Sequence, residues 1–237
     1  EKYSQVDPVD YEAQRFQTPA GELIDRIEKE TVCKLLLNSG TDVGRKLKIL
    51  DVACGTGRLA FFLEDNLTNA DITGIDINDN MLSRARKIGL SRSSRVKFRR
   101  ADFYNLPYKN NHFDVVAGLR FSMHIPDLNQ VFKELSRVLK AGGILIFDIF
   151  NKQSILRLKI PTENNNQPGY YYYQNIISLA NTFKLKFKGK KGIFLFGETI
   201  IRQFPNQLMF LLMPLITPPF FLEGFSTKII LCFRKIS

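Results

Sequence analysis

The sequence predicts an α/β fold, a doubly wound and mostly parallel sheet with helices on both faces. Two observations predict it. Over residues 45–150, short apolar runs alternate with stretches whose apolar groups recur at helical spacing. The first of these runs ends in a glycine-rich turn, ACGTG, from which a helix resumes. A chain of 237 residues suits one such domain with a modest extension.

The elements follow in order. Residues 22–37 (ELIDRIEKETVCKLLL) carry apolar groups at 23, 24, 27, 32, 35 and 36, which predicts an amphipathic helix. Residues 47–52 (LKILDV) read as a buried strand and 57–66 as the helix after the turn. A second strand is expected at 71–76 (DITGID) and a second helix at 78–88, with Asn78 as its N-cap. Strands are expected at 95–98 and 113–117, then a helix at 127–139 opened by Asp127 and closed near Gly142-Gly143. A fifth strand is expected at 144–149. Beyond it, 174–183 read as helical, 183–188 (FKLKFK) as a half-exposed strand and 228–234 as a last strand. The excursion at 193–222 is rich in Phe, Leu and Pro, and it leaves from the ligand face if the sixth strand is parallel to the first five.

Composition narrows the class. Cys33, Cys54 and Cys232 are odd in number and show neither metal-ligand spacing nor a disulfide framework, so a reducing, cytoplasmic setting is expected and no metal. No signal peptide is expected from EKYSQVDPVD. The uncharged stretch Gln203 to Leu222 contains four prolines, and its apolar run Leu208 to Met213 is too short to span a bilayer. It reads as interfacial or substrate-covering. The net charge of +11 invites nucleic acid, anionic lipid or an acidic substrate, against the plain alternative of a soluble basic protein. The basic residues cluster at Arg84–Arg100 and Lys184–Lys191.

The turn Asp51-Val52-Ala53-Cys54-Gly55-Thr56-Gly57 carries the functional argument. Its glycines let a ligand approach the backbone, and the following helix N-terminus offers free N–H groups. Gly55-x-Gly57-x-x-Ala60, with Asp76 downstream, also fits a dinucleotide site, so NAD(P) is the rival ligand. A pyrophosphate is disfavoured beside the Asp51 carboxylate, whereas S-adenosylmethionine carries an ammonium and a sulfonium that an acid suits. Structural pinning of the turn is the alternative role for Asp51. Asp76, ending the second strand, can accept from both ribose hydroxyls, with helix capping as its alternative. After the third strand, Asp102 and Phe103 can accept from an adenine amino group and flank the ring.

These pieces resemble the class I S-adenosylmethionine-dependent methyltransferases, in particular the ubiquinone/menaquinone-type small-molecule branch. The matching segments are ILDVACGTGRLA (49–60), ITGIDINDNML (72–82), VKFRRADFYNLPY (96–108) and the stretch from Phe113 to Asn151. The resemblance implies a seven-stranded, Rossmann-like sheet with an antiparallel last strand. It implies a single domain over 1–237: an N-terminal helical cap (1–44), a cofactor-binding core (45–150), and C-terminal strands (151–237) with an acceptor-side lid at 193–222. It implies that the backbone of Ala53, Gly55, Thr56 and Gly57 holds the methionine moiety, with Asp51 near its ammonium. Asp76 would then hold the ribose, Ile77 and Phe103 would meet the adenine, and Asp102 its amino group. Leu119 would lie near the methionine end, and Arg15, on the segment Tyr11 to Phe16, would meet the carboxylate. Arg120 departs from the apolar run that members carry there, so the substrate edge is expected to be unusual.

Methyl transfer to an activated methyl needs alignment and exclusion of water, and a base only if the acceptor must lose a proton. His124 is the candidate base, with loop packing beside Pro126 as its alternative role. His112, in KNNHFD, is expected to be solvated, and Tyr170 to Tyr173 to lead into a helix. Twenty Phe and no Trp, many of the Phe after residue 180, fit an apolar acceptor, lipid-like, quinone-like or a secondary metabolite. Peripheral membrane contact through 193–222 is a further expectation, as is a monomer or homodimer. Nucleic acid is not expected: no RNA-binding module is evident, and the N-P-P-Y-type loop of base methylation is absent after the fourth strand. A binding protein without catalysis remains open on the same fold.

Overall fold

The computed structural model describes residues 7–125, 127–154, 169–195, 198–203, 211 and 213–237. Two helices open it, α1 (Pro8–Phe16) and α2 (Pro19–Asn38), each with proline at its start and an N-cap oxygen, from Asp7 and Thr18. Then come β1 (Leu47–Val52), α3 (Arg58–Asn66), β2 (Ala70–Asp76), α4 (Asp79–Ser91), β3 (Lys97–Arg100) and β4 (Phe113–Gly118). A 3-10 turn (Ser122–His124) leads to α5 (Leu128–Val138) and β5 (Leu139–Asn151). The tail holds β6 (Tyr170–Tyr171), α6 (Tyr173–Thr182), β7 (Leu185–Ile193), α7 (Glu198–Gln203), α8 (Met213–Ile216), a 3-10 turn (Phe220–Phe225) and β8 (Lys228–Lys235).

The sheet order is β3-β2-β1-β4-β5-β8-β7, with β6 paired to β5 outside that path. Strands β1 to β5 are parallel and β8 is antiparallel to both β5 and β7. It follows that β7 runs parallel to β5, so the segment after Ile193 leaves from the carboxyl ends of the first five strands. β4 and β5 are buried on both faces because helices cover each side. One core layer lies between the sheet and α2 and α3, and takes in Phe194, Ile201 and Ile216 from the tail. The other lies between the sheet and α5 and α6, around Phe132, Phe147 and Phe233. The chain order reverses between β1 and β4, the switch point where such sheets bind ligands.

Several sequence expectations are corrected. α5 ends at Val138, not at the glycines; β5 starts at once and a register shift absorbs Gly142, whose φ is 76°. β3 lies two residues later than expected, as an exposed edge strand. The expected seven strands make up the path of the sheet, and Tyr170 and Tyr171 add a two-residue eighth, β6, beside β5 before α6 begins. His112 is half-buried rather than solvated: its ring stacks on Tyr108 at 5.8 Å and meets Phe113 edge-on at 4.8 Å. Burial first, then Lys48, Lys109 and Lys140, hold its pKa below the ordinary value. Pro126 and most of the apolar run 208–213 lie outside the described residues.

Candidate active site at the carboxyl ends of the strands

A cavity of about 1170 Å³ opens at the switch point. Its wall includes Asp51, Ala53, Gly55 and Thr56 from the β1 turn, and Asp76 and Ile77 from the end of β2. Phe103 adds to it from beyond β3, and Leu119 and His124 from beyond β4. Arg15 reaches it from α1. Gly57 and Asp102, the other two expected residues, are not on this wall. Gly57 starts α3 with φ 87°, and an added Cβ would come within 2.7 Å of the Phe98 ring. Its hydrogen is a packing requirement. Asp102 is exposed, and its Oδ1 accepts from the Tyr104 N–H at 2.9 Å.

The turn is built from both strands that feed it. Cys54 N–H donates to the Ile75 carbonyl (2.9 Å) and Gly57 N–H to the Cys54 carbonyl (2.9 Å). Ala53 and Gly55 both take positive φ, 52° and 54°. Around Gly55 an added Cβ would meet nothing within 4 Å, so the backbone there is bare toward the cavity. Asp76 ties this turn to β2: its Oδ2 accepts from Gly55 N–H (2.8 Å) and its Oδ1 from Asn78 N–H (2.9 Å). Asn78 in turn caps α4, accepting from Asn80 and Met81 N–H. The capping role that competed for Asp76 therefore belongs to Asn78.

Asp51 is fully buried and its Oδ2 has no hydrogen-bond partner. Burial pushes its carboxyl well above the ordinary carboxylate value; an Ala60 N–H works against the shift and nearby Asp76 adds to it. Burial also raises Asp76, offset by the N–H groups of Asn78, Gly55 and Ile77. Two carboxyls with no cation paired to them, one with a partnerless oxygen, beside bare backbone favour a ligand that brings positive charge and donors.

The remaining wall mixes apolar groups with polar and charged ones, Asn78, Asp79, Asn80, Arg58, Arg100 and Arg120 among them. Ile77 is 59% exposed although large and aliphatic. Phe103 stacks obliquely on Phe121 at 6.0 Å, and Phe121, Met123 and Tyr170 continue the surface. His124 is exposed, on the 3-10 turn after β4. Arg15 is exposed on α1, its guanidinium 6.0 Å from the Tyr11 ring.

Two cations escaped the sequence reading. Arg58, the first residue of α3, lies 3.4 Å over the Phe16 ring and pairs with Asp25 of α2. Burial and then Arg120 pull it down to about 9, so it stays charged at neutral pH. Arg120, flagged only as a departure from an apolar run, is buried and pairs with Glu28 through two bonds of 2.9 and 2.8 Å. Nothing local in the sequence links Glu28 to residue 120. Among the described residues, no group of His, Cys, Asp and Glu could hold a metal ion.

Residues 44–191 match the family model described as a methyltransferase domain. The chain belongs to the class I S-adenosylmethionine-dependent methyltransferases. It is similar to a sterol 24-C-methyltransferase of Gibberella zeae, 35% identical over 150 residues, which is 59% of this chain and 38% of that protein. It is also similar to the demethylmenaquinone methyltransferase of Desulfitobacterium hafniense, 28% identical over 195 residues, 74% of this chain and 72% of that one. Among solved structures it resembles geranyl diphosphate C-methyltransferase from Streptomyces coelicolor, with a TM-score of 0.65 and 14% identity over 89% of this chain and 80% of that one. The match thus spans less than two fifths of the sterol relative's length. The site fits the family's cofactor on two structural grounds: the partnerless buried oxygen of Asp51 and the open space at Gly55.

Proposed function

We propose that this chain transfers a methyl group from S-adenosylmethionine to a small apolar acceptor of lipid, quinone or secondary-metabolite type. The observation that carries the reading is the buried, partnerless Asp51 oxygen beside the bare Gly55 backbone, in a cavity also lined by Phe103, Leu119, Phe121, Met123 and Tyr170. S-adenosylmethionine, when bound, supplies a methyl group already activated by the sulfonium.

The chain's own residues then position and seal. Ala53, Gly55 and Thr56 line the methionine position, with Gly57 fixing the turn's geometry. Asp51 meets the ammonium and Arg15 the carboxylate. Asp76 accepts from the ribose with the lone pairs left after Gly55 and Asn78. Ile77 and Phe103 flank the adenine, and Asp102 offers its second oxygen to the amino group from the turn beside Phe103. Leu119 and Phe121 keep water from the line of displacement between acceptor and methyl. His124 takes a proton where the acceptor must lose one. In this reading 1–44 cap a core at 45–150, and 193–222 cover the acceptor side.

The acceptor class is supported by the named relatives, which act on sterol, demethylmenaquinone and geranyl diphosphate. Peripheral contact with an anionic membrane belongs to the same reading. Phe220 and Phe221 are 83% and 74% exposed, and Lys190 lies 5.9 Å from the Phe220 ring. No helix among the described residues is long and apolar enough to cross a membrane. A cytoplasmic monomer or homodimer completes the proposal.

Incubation with methyl-labelled S-adenosylmethionine and a panel of polar and apolar acceptors tests it. Label extracted into organic solvent is expected; label confined to polar acceptors, or none with any, refutes the acceptor class.

A further inference from the structure

Five charged side chains meet beneath the cavity, from five separate elements. Arg120 follows β4, Glu28 sits on α2, Asp148 on β5, Lys228 opens β8, and Glu198 opens α7. All but Glu198 are within about the last tenth of exposure, and Glu28 and Lys228 have none. Arg120 takes φ 63°; its N–H donates to Asp148 Oδ1 at 2.7 Å and its guanidinium clamps Glu28. Lys228 pairs with Glu28 and lies 3.5 Å from Asp148 Oδ2.

These four groups balance, two cations against two carboxylates. Glu198 is the fifth, and it arrives on the helix that follows β7. Its Oε1 accepts from Arg120 at 2.8 Å and from Lys228 at 3.0 Å. Burial opposes its ionisation, yet Lys228 and Arg120 hold its pKa down at about 2. One turn later Arg202 lies 3.7 Å from Glu198 and donates to the Arg15 carbonyl, 2.9 Å, near the C-terminus of α1. α7 therefore brings its own counter-cation. Withdrawing it leaves the four groups below matched two to two, so the cost of opening is the loss of Glu198's own bonds to Arg120 and Lys228.

We propose that Glu198 is a positioning residue that acts through Arg120, and that Glu198 and Arg202 form a clasp. The clasp joins the floor of the cavity to the cap helix α1. Arg120 lies between Leu119 and Phe121, both on the cavity wall, and α1 contributes Tyr11 and Arg15 to the same wall. Docking of α7 thus sets the loop after β4 and holds the cap in one event. Only the final readout below rests on the proposed cofactor.

The test is amide hydrogen exchange on the full chain carrying Glu198→Gln or Arg202→Gln. Each removes a charge-assisted bond, so exchange within 8–16 is expected to quicken about tenfold, while 47–52 and 113–118 stay as in wild type. Arg202→Lys, which keeps a cationic donor, is expected to restore most of the protection. S-adenosylhomocysteine is expected to dissociate roughly tenfold faster from both glutamine variants. Wild-type exchange at 8–16 in both glutamine variants overturns the clasp. Failure of the wild type to bind S-adenosylhomocysteine would instead count against the proposed function, and the exchange result would still decide the clasp.

Discussion

Replacing Asp51 with Asn separates a ligand-binding role from a structural one. Asp51 is fully buried, its Oδ2 lacks a partner and its carboxyl is pushed up by burial, so its charge destabilises the free protein. Asparagine keeps the shape and removes the charge. The free variant is therefore expected to melt no lower than wild type. Binding responds in the opposite sense. An ammonium about 4 Å from a carboxylate is worth roughly 4 kcal/mol at an effective dielectric near 20, before the cost of desolvation. Charge-assisted hydrogen bonds keep about 1.5–3 kcal/mol of such gains, which predicts S-adenosylmethionine binding weakened about tenfold to 150-fold. Isothermal titration and thermal melts on the same samples measure both. Unchanged affinity, or affinity lost together with a lowered melting point, would show that Asp51 merely pins the turn.

The two glycines of the turn should part company. Gly57→Ala drives a Cβ to 2.7 Å from Phe98 and 2.9 Å from Phe61 at φ 87°, so urea unfolding should show a loss of about 1–3 kcal/mol. Gly55→Ala has open space and carries only the strain of its φ of 54°, about 1–2 kcal/mol of stability and less than Gly57→Ala, which adds the clash. It should still weaken cofactor binding by intruding on the ligand's approach; equal stability losses would contradict the assignment. Glu198 is held at about 2 against an ordinary 4.5, a depressed carboxyl, so its stabilisation is present above pH 4.5 and fades as pH falls toward 2. Glu198→Gln should flatten that part of the acid-denaturation curve; an unaltered slope would deny the pairing. Phe220→Ser with Phe221→Ser should abolish cosedimentation with anionic vesicles at low salt, without changing the melting point. Retention of vesicle binding would place the contact elsewhere.

Much of the scaffold was legible in the sequence because β1 and β4 are mostly apolar runs that end at turn residues, and β2, though mixed (ADITGID), lies between two helical stretches. The edges were less so. β3 carries one apolar group, Phe98, with Val96 just before it, so the period did not mark its ends. Gly142-Gly143 read as a helix stop, whereas extended pairing at Leu139 had already ended α5 and the glycines fell in a register shift. At the site, Asp51, Gly55 and Asp76 could be read from their order along alternating strands. The charged floor could not, because its members are spread from residue 28 to residue 228. Only Arg120 left a local trace, as a cation amid apolar neighbours. Arg58 left none, since its partner Asp25 lies on a different helix.

This cavity is expected to take S-adenosylmethionine rather than a dinucleotide. Calorimetric titration of the full chain with S-adenosylmethionine, S-adenosylhomocysteine and NAD tests it most directly. The two S-adenosyl compounds are expected to bind with one-to-one stoichiometry and NAD to give no saturable heat. Binding of NAD more tightly than either would make this a dinucleotide site.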